Sequence, residues 1–318
     1  MQSSASARPR LYRKDLFNTP RHSIRVSRHI LADGFLAHDH DFLEIALIGG
    51  GRGIHHTVHG PQTLAAGDAF IIRPNAWHAF QQCRELVVCN ICIGLDLLEG
   101  ELRWVRNDPA LAYLLWSGPV THERGGSVGL RLSTAAQRVC QQHFQVLLRL
   151  QEDAAPSARI ERIGTLLLIL GHLARDMGPA HRAASARTPA LHRAVLEGIR
   201  LLQAHLDQPW TLPVLAARLA IDPAYLVRLF KAQTGLPPLA YLARHRAERA
   251  AMLLLQTDRP IAQIGAAVGW DDPNYFARRF RAYFGVSATT YRARFSALAS
   301  PVAPPAPPVP SRVQTVAD

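Results

Sequence analysis

The segment at residues 222–241, DPAYLVRLFKAQTGLPPLAY, recurs fifty positions later at residues 272–291 as DPNYFARRFRAYFGVSATTY. Asp, Pro, Tyr, Arg, Phe, Ala, Gly and a second Tyr occupy matching places in the two copies. A stacked-repeat protein needs several units to bury a continuous core, so two copies argue against that architecture. The repeat instead predicts a duplicated supersecondary unit.

Each copy carries the signals of one capped helix. An aspartate suited to the N-cap precedes a proline at the first helical position, where a missing N–H is tolerated. Gly235 and Gly285 stand where a left-handed cap would end the helix. A short amphipathic segment precedes each copy, at residues 212–219 and 261–268, with Ala216 or Gly265 at matching positions. The pattern predicts two helix-turn-helix units. Their buried apolar residues are predicted to be Leu226, Leu229, Phe230, Phe276 and Phe280.

The opposite face of each capped helix carries basic and amide side chains beside small residues. Arg and Asn read guanine and adenine edges in the major groove, and small residues leave room for thymine methyl groups. Between residues 191 and 298, Lys and Arg are twice as frequent as Asp and Glu, which suits a phosphate-rich partner. A single basic helix could instead carry its arginines on an ordinary solvated face. Duplication, capping and turn spacing together favour the interpretation that these helices bind double-stranded DNA. The predicted DNA-binding residues are Ala224, Val227, Arg228, Lys231, Asn274, Ala277, Arg278 and Arg281.

At these residues the chain resembles a known family. Residues 191–295 are similar to the tandem helix-turn-helix module of AraC/XylS-type transcription regulators, and IAQIGAAVGWDDPNYFARRFRAYFGVSATTYR at 261–292 follows the family signature most closely. Gly265, Trp270 and Ala288 replace the usual Ala, Phe and Pro, but none of the three is a DNA-contacting position. The resemblance implies a connecting helix at residues 239–255 and two recognition helices that enter major grooves about 34 Å apart.

Composition favours a globular protein of about two domains. Its 318 residues are 48% hydrophobic and carry a net charge of +12. No apolar run reaches the roughly 18 residues of a membrane span, and the polar, basic start lacks the apolar stretch of a secretory signal. We therefore expect a cytoplasmic protein with no membrane partner. Cys89 and Cys92 form a CxxC spacing, but they fall in an apolar strand-like run and are interpreted as buried thiols.

The predicted fold class is α+β and multidomain, with a cupin-like β-barrel and helical segment before an all-α tandem helix-turn-helix domain. Short apolar runs broken by Gly, Pro and Asn favour the barrel, and GGGRG at 49–53 is interpreted as a turn after a strand. Two amphipathic helices are predicted within residues 133–177. The predicted domains are an N-terminal arm (1–21), a cupin-like ligand-sensing domain (22–132), a helical dimerisation segment (133–177), a linker (178–189), the tandem helix-turn-helix domain (190–298) and a disordered Pro-rich tail (299–318).

The N-terminal domain carries a group of histidines. His38, His40 and Glu44 stand at even spacing, so on one strand they share a face, and a later turn adds His78. Three interpretations of this group remain: a divalent metal site, a metal-free ligand pocket and a structural cluster. Trp77 could cover the apolar face of a sugar, or pack in the core.

The histidine pattern resembles the cupin barrel and the sensor domains of AraC-type regulators, the rhamnose-operon activators in particular. Gly34 lies closer to the first histidine than in metal-dependent cupin enzymes, and Ala76 replaces a glycine. The favoured prediction is therefore a small-molecule pocket without a metal or other cofactor. Its predicted ligand-binding residues are His38, His40, Glu44, Trp77 and His78.

Together these features predict a ligand-responsive, sequence-specific regulator of a metabolic operon, with carbohydrate utilisation as the favoured class. The expected partners are promoter DNA, a small-molecule effector such as a sugar, RNA polymerase and a second copy of the chain. No residues stand at a spacing that defines a catalytic site, so no enzyme activity is expected. The alternative is a metal-dependent cupin enzyme fused to a DNA-binding module.

Overall fold

A computed structural model describes residues 23–58, 60–120, 126–153, 155–187 and 192–295. The predicted N-terminal arm (1–21) and Pro-rich tail (299–318) lie outside these residues.

The described N-terminal half holds one antiparallel sheet in the order β1-β6-β3-β5-β7, with β2 added to β6 and β4 to β3. Its two long strands, β3 and β6, pair along most of their length, and Ile45 and Ile91 face each other in the core. This confirms the predicted cupin-like β-domain. The strands are β1 (Ile24–Leu31), β2 (Phe35–His38), β3 (Leu43–Thr57), β4 (Gly60–Ala65), β5 (Asp68–Ile72), β6 (His78–Ile93) and β7 (Ser127–Arg131).

The glycine-rich stretch at 49–53 forms part of β3 instead of a turn after a strand, which corrects the sequence interpretation. Register shifts between Ile48 and Ile54 mark β-bulges against β6. Gly51 has φ +72°, and an added Cβ would lie 2.1 Å from the carbonyl oxygen of Glu85. The glycines therefore let the strand bend without ending, because only glycine fits this approach of two backbones.

Helices follow and cover the sheet. The predicted pair within 133–177 is confirmed as α4 and α5, which pack together through Phe144, Leu147, Leu166 and Leu170. A 3-10 turn (Arg103–Asn107) and a π-helical turn (Tyr113–Ser117) lie between the shorter helices. The helices of this half are α1 (Leu95–Glu99), α2 (Pro109–Ala112), α3 (Gly118–Val120), α4 (Thr134–Leu150), α5 (Pro156–Arg175) and α6 (Pro179–Arg187).

Helix α6 occupies most of residues 178–189, for which the sequence predicts an irregular linker. The segment is rich in alanine, the strongest helix former, and begins with a proline that suits the first helical turn. Ser185 Oγ donates a hydrogen bond of 2.8 Å to the carbonyl oxygen of Pro109, which ties α6 to α2. Tertiary contacts thus hold an ordered helix where composition alone indicated a loop.

The C-terminal half contains the two predicted helix-turn-helix units. Leu226 and Phe230 of the first unit are buried, as are Phe276 and Phe280 of the second, whereas Leu229 is half-buried. An added Cβ at Gly265 would lie 3.0 Å from Cγ of Phe276, so a small residue is needed where the paired helices meet. The helices are α7 (Arg193–Ala204), α8 (Leu212–Arg218), α9 (Pro223–Thr234), α10 (Pro238–Gln256), α11 (Ile261–Ala267), α12 (Pro273–Phe284) and α13 (Ala288–Phe295).

Helix α10 fills the place of the predicted connecting helix between the two units. Among the described helices, none has the length and hydrophobicity needed to cross a bilayer.

Candidate functional site

The two capped helices begin and end as the repeat predicts. Asp222 Oδ1 accepts a hydrogen bond of 2.8 Å from the Tyr225 amide, and Asp272 Oδ1 accepts one of 2.8 Å from the Asn274 amide. Gly235 and Gly285 adopt left-handed φ values of 79° and 73° at the C-caps. Local sequence signals therefore fix both helix ends and the direction of their outer faces.

The residues predicted to contact DNA lie on these outer faces. Seven of the eight are exposed and Val227 is half-buried. Sequence reasoning left out Tyr225 and Tyr275, which occupy matching places near the helix starts and are 43% and 41% exposed. Their recurrence as the tyrosine of the DPxY repeat is the sequence feature that could have identified them. The Arg228 guanidinium lies 5.9 Å from the centre of the Tyr225 ring.

The barrel brings the predicted histidines and glutamate together in its interior. His38, at the end of β2, pairs with His78, at the start of β6, and their ring centroids are 4.2 Å apart. Glu44 of β3 lies between His40 and His78: its carboxylate oxygens are 3.5 Å from His40 Nε2 and 3.7 Å from His78 Nε2. All four side chains are buried. We call this group, with His55, the histidine cluster.

His55 is the fourth imidazole of the histidine cluster, and sequence reasoning missed it. Its ring centroid is 5.6 Å from that of His78. Glu44 and His55 are an odd number of residues apart on β3, so simple alternation assigns them to opposite faces. The bulges between Ile48 and Ile54 change that phase, and both side chains enter the barrel interior.

Backbone contacts orient two of the imidazoles. His38 Nδ1 lies 2.9 Å from the carbonyl oxygen of Leu36, and His40 Nδ1 lies 2.8 Å from that of Phe42. A carbonyl oxygen only accepts, so each Nδ1 carries the proton in the neutral ring and Nε2 keeps its lone pair. Both rings therefore offer an acceptor or metal-ligand nitrogen.

Burial dominates the electrostatics of the histidine cluster. Desolvation raises the pKa of Glu44 to about 8. Desolvation, followed by the neighbouring imidazoles of His38 and His56, lowers the pKa of His55 to about 3. Desolvation, followed by the neighbouring imidazoles of His38, His40 and His55, also holds the pKa of His78 well below its usual range. The protein environment thus favours a neutral carboxyl and neutral rings, because a buried charge needs a partner.

Trp77 is 3% exposed and belongs to a hydrophobic cluster shared by the barrel and the connecting helix. Its neighbours in that cluster include Ala247, Ala250 and Ala251 of α10 and Ala79 of β6. The indole therefore takes part in packing between the two halves of the chain.

Polar contacts also join the barrel to α10. Arg73 Nη2 donates a 2.8 Å hydrogen bond to Glu248, and Arg249 Nη1 donates one of 3.0 Å to Asp39. Arg244 Nε donates a further 2.8 Å bond to Glu248. Although burial alone raises the pKa of Glu248, the charges of Arg73, His245 and Arg244 lower it to about 2. Sequence reasoning missed these residues, because nothing local marks a contact between residues 175 positions apart.

Both halves of the chain match known protein families. Residues 22–170 match a family model described as an AraC-like ligand binding domain, and residues 215–294 match one described as a helix-turn-helix domain. The HTH-type transcriptional activator RhaR of Salmonella schwarzengrund (strain CVM19633) is 27% identical over 285 residues, which cover 89% of this chain and 95% of the relative.

Two solved structures are also similar. Apo ToxT K231A from Vibrio cholerae has 13% sequence identity and a TM-score of 0.45, and the match covers 86% of this chain and 97% of that chain. The C-terminal domain of AraT, a response regulator from Geobacillus stearothermophilus, has 36% identity over 33% of this chain and 87% of that chain, with a TM-score of 0.32.

The two family models follow one another along a single chain, in the order that the sequence resemblance implied. The RhaR relatives extend the match across both. The chain therefore has the two domains of an AraC/XylS-type transcription regulator, an AraC-like ligand-binding domain before a helix-turn-helix domain.

Proposed function

We propose that this protein is a ligand-responsive activator that binds specific promoter sequences as a homodimer in the cytoplasm. One observation carries the proposal: helix α10 connects the two helix-turn-helix units and also receives the buried contacts of the sensor barrel. A change in the barrel can therefore reach both DNA-binding units through one rigid element.

The outer faces of α9 and α12 would supply sequence recognition. Arg228 and Arg278 hold matching, exposed places, and an arginine in the major groove can bond a guanine through two hydrogen bonds. Asn274 near the start of α12 suits adenine, and Lys231 and Arg281 suit phosphates. Since each unit has its own recognition helix, one chain would cover two sites about one DNA turn apart.

Helix α5 offers a surface for a second copy of the chain. Ile160 and Leu168 are 74% and 52% exposed, two helical turns apart on one face. Gly164 lies between them, and an added Cβ there would meet no atom within 4 Å. Exposed apolar side chains around a glycine suit close packing against an identical helix, which supports the predicted dimer.

The packing of Trp77 and of the imidazole rings limits which effectors fit inside the barrel. A carbohydrate was the favoured class from the sequence, but Trp77 packs between the barrel and α10, and the imidazole rings contact one another. A sugar would therefore have to open the histidine cluster or bind beside it. The relatives' name, transcriptional activator, supports activation, for which contact with RNA polymerase is the expected route.

Capture of fragmented genomic DNA by the full-length protein would test this function. We expect enrichment of a few sites, each with two boxes about one helical turn apart. An Arg228→Ala/Arg278→Ala double variant should lose this enrichment, whereas Arg131→Ala, an exposed arginine of the barrel, should retain it. Retention without preferred sites would contradict the proposal and favour the alternative, an enzyme of the cupin type, which an assay for turnover would then address.

A further inference from the structure

A cavity of about 180 Å³ lies between the two helix-turn-helix units. Its apolar lining comes from three parts of the DNA-binding half: Leu236 after α9, Ala240 and Ala243 of α10, and Trp270 in the turn between α11 and α12. An apolar cavity of about 150 Å³ can hold a benzene molecule, so this one has room for a ligand with one small ring.

Two cationic side chains line the same cavity. Arg244 of α10 and Arg279 of α12 both contribute to it, and no carboxylate is among the described lining residues. Arg244 is 3% exposed, and its Nε donates a 2.8 Å hydrogen bond to Glu248. Arg279 is exposed and forms no ion pair within the described part of the chain. The buried guanidinium is therefore held in place, while the exposed one can turn toward an incoming anion.

Two aromatic side chains complete the lining, Trp270 and Tyr283 of α12. Trp270 is only 5% exposed, and its indole N–H donates to no group among the described residues. A buried indole N–H usually finds an acceptor, and aromatic faces favour a second flat ring. Tyr283 donates a 3.4 Å hydrogen bond to Glu248 through its hydroxyl, which fixes this side of the cavity.

The start of α10 adds positive potential to that of the arginines. Leu236 and Ala240 lie on either side of Pro237, the N-cap of α10, and no side chain caps this end of the helix. The N-terminus of a helix carries a partial positive charge and favours an anion. The cavity thus combines an apolar, aromatic interior with several sources of positive charge.

We propose that this cavity binds one small aromatic carboxylate, with its ring beside Trp270 and Tyr283 and its carboxylate on Arg279. An arginine can bond a carboxylate through two parallel hydrogen bonds. The apolar walls favour a ring, because ring and walls leave water together. The site goes beyond the proposed function, since it would be a second ligand site, within the DNA-binding half and separate from the barrel.

A bound carboxylate would contact α10 and both helix-turn-helix units at once. Leu236 directly follows Gly235, the C-cap of α9, and Arg279 directly follows Arg278, a predicted base contact. A ligand held between them would favour one relative position of the two recognition helices, and such a preference couples ligand binding to DNA binding. This coupling, unlike the site itself, rests on the proposed function.

Isothermal titration calorimetry of the full-length protein with thiophene-2-carboxylate would test the site. This probe carries one small aromatic ring and one carboxylate. We expect saturable binding of one molecule per chain. The neutral thiophene-2-carboxamide has nearly the same shape and should bind at least about 10-fold more weakly, because it lacks the charge. Inorganic phosphate should not compete, because it lacks a ring.

Two variants of the cavity have matched controls. Arg279→Gln should weaken binding at least about 10-fold, whereas Arg131→Gln, at an exposed arginine of the barrel, should not. Ala240→Leu fills the cavity and should abolish binding, whereas Ala135→Leu, at an exposed site on α4, should bind as the wild type does. Circular dichroism would verify that the variants fold. If Ala240→Leu fails to fold, Arg279→Gln decides, because its side chain is exposed.

Three results would overturn the site: no saturable binding, equal affinity for the carboxamide, or unchanged binding in either cavity variant. The last result would mean that the probe binds elsewhere in the chain. Competition by inorganic phosphate would also overturn the aromatic carboxylate and would identify a phosphate site, as expected for the DNA backbone.

The coupling is tested with a DNA fragment retained in the genomic capture. We expect a saturating concentration of the probe to change the affinity for this fragment by at least about 3-fold, and the fragment to change probe affinity by the same factor, since coupling is reciprocal. Ala240→Leu should remove this effect. Equal DNA affinity with and without the probe would refute the coupling. Absence of any specific fragment would instead refute the proposed function, while the calorimetric result would stand separately.

Discussion

Arg73 and Glu248 form a 2.8 Å ion pair that joins the sensor barrel to the connecting helix, and their side chains are only 4% and 2% exposed. Arg244 and His245 contact the same carboxylate, so Glu248 is shared by three basic side chains. A buried carboxylate is tolerated only with such partners, and their loss leaves an uncompensated charge. This pair is therefore one of the contacts through which the two halves of the chain depend on each other.

Loss of Arg73 should destabilise the protein strongly. Arg73→Ala leaves Glu248 buried with fewer partners, and breaking such a pair costs about 3–5 kcal/mol of unfolding free energy. Urea denaturation followed by circular dichroism would measure this loss. The matched control is Arg200→Ala, which removes the exposed pair with Glu197 and should cost no more than about 1 kcal/mol. Equal effects of the two substitutions would show that the buried pair does not hold the halves together.

The same carboxylate predicts a pH dependence. The pKa of Glu248 is about 2 in the folded protein, below its value of 4.5 for an unperturbed glutamate. A depressed pKa stabilises the fold above the unfolded value, and this contribution is lost as the pH falls from 4.5 to about 2. The difference in stability between the wild type and Glu248→Gln should therefore shrink across this window. A constant difference would mean that the ionised carboxylate is not what stabilises this contact.

Arg278→Ala should weaken binding to a cognate site by about 1–3 kcal/mol and relax the preference at one base pair. Fluorescence anisotropy with a set of single-base variants of the captured site would measure both. An equal loss on every sequence would identify Arg278 as a phosphate contact. Arg131→Ala, on the barrel, serves as the control for the loss of one positive charge.

Leu168→Asn should yield monomers, because it places an amide on the exposed apolar face of α5. Sedimentation velocity would report the oligomeric state. Ile30→Asn, at a 59% exposed site on β1, is the matched control and should leave dimers intact. Dimers that persist in Leu168→Asn would exclude this face.

The bulge in β3 gives a further prediction. Gly51→Ala should destabilise the barrel by more than about 2 kcal/mol, because it combines a left-handed φ with a clash against the Glu85 carbonyl. Gly60→Ala, at φ +98° but with no atom within 4 Å of the added Cβ, should show only the backbone cost of about 1–2 kcal/mol. Thermal unfolding of both variants would compare the two. Similar losses would mean that the strand can bend without this glycine.

The helix-turn-helix half could be predicted almost in full, because its signals are local. Asp222, Pro223 and Gly235 each determine a helix end through contacts within one helical turn. The same residue types recur at 272–285, so the sequence itself supports the assignment twice. The identities of His38, His40, Glu44 and His78 were also accessible from their spacing. The single strand predicted for the first three was wrong, because β2 ends at His38, the chain bends at residues 41 and 42, and Glu44 lies on β3. That the DNA-facing residues and the histidine cluster perform these roles stays a prediction.

Features that depend on long-range packing could not be predicted. His55 was not predicted as part of the cluster because bulges in β3 change which side chains face the barrel interior. A bulge depends on the partner strand as much as on the glycines of the bulged strand. Arg73 and Glu248 carry no local mark of their pairing. Helix α6 was missed because its alanines also fit a linker, and only its contact with Pro109 distinguishes the two.

The buried contact between barrel and connecting helix has a consequence for protein engineering. Chimeric regulators are built by joining the sensor of one protein to the DNA-binding domain of another, on the assumption that the two parts are independent. Here a foreign sensor would present some other residue to Glu248 and would leave that carboxylate without one of its buried partners. A working hybrid would have to carry Asp39 and Arg73 together with Arg249 and Glu248, so the transferable unit is a sensor with its matching helix.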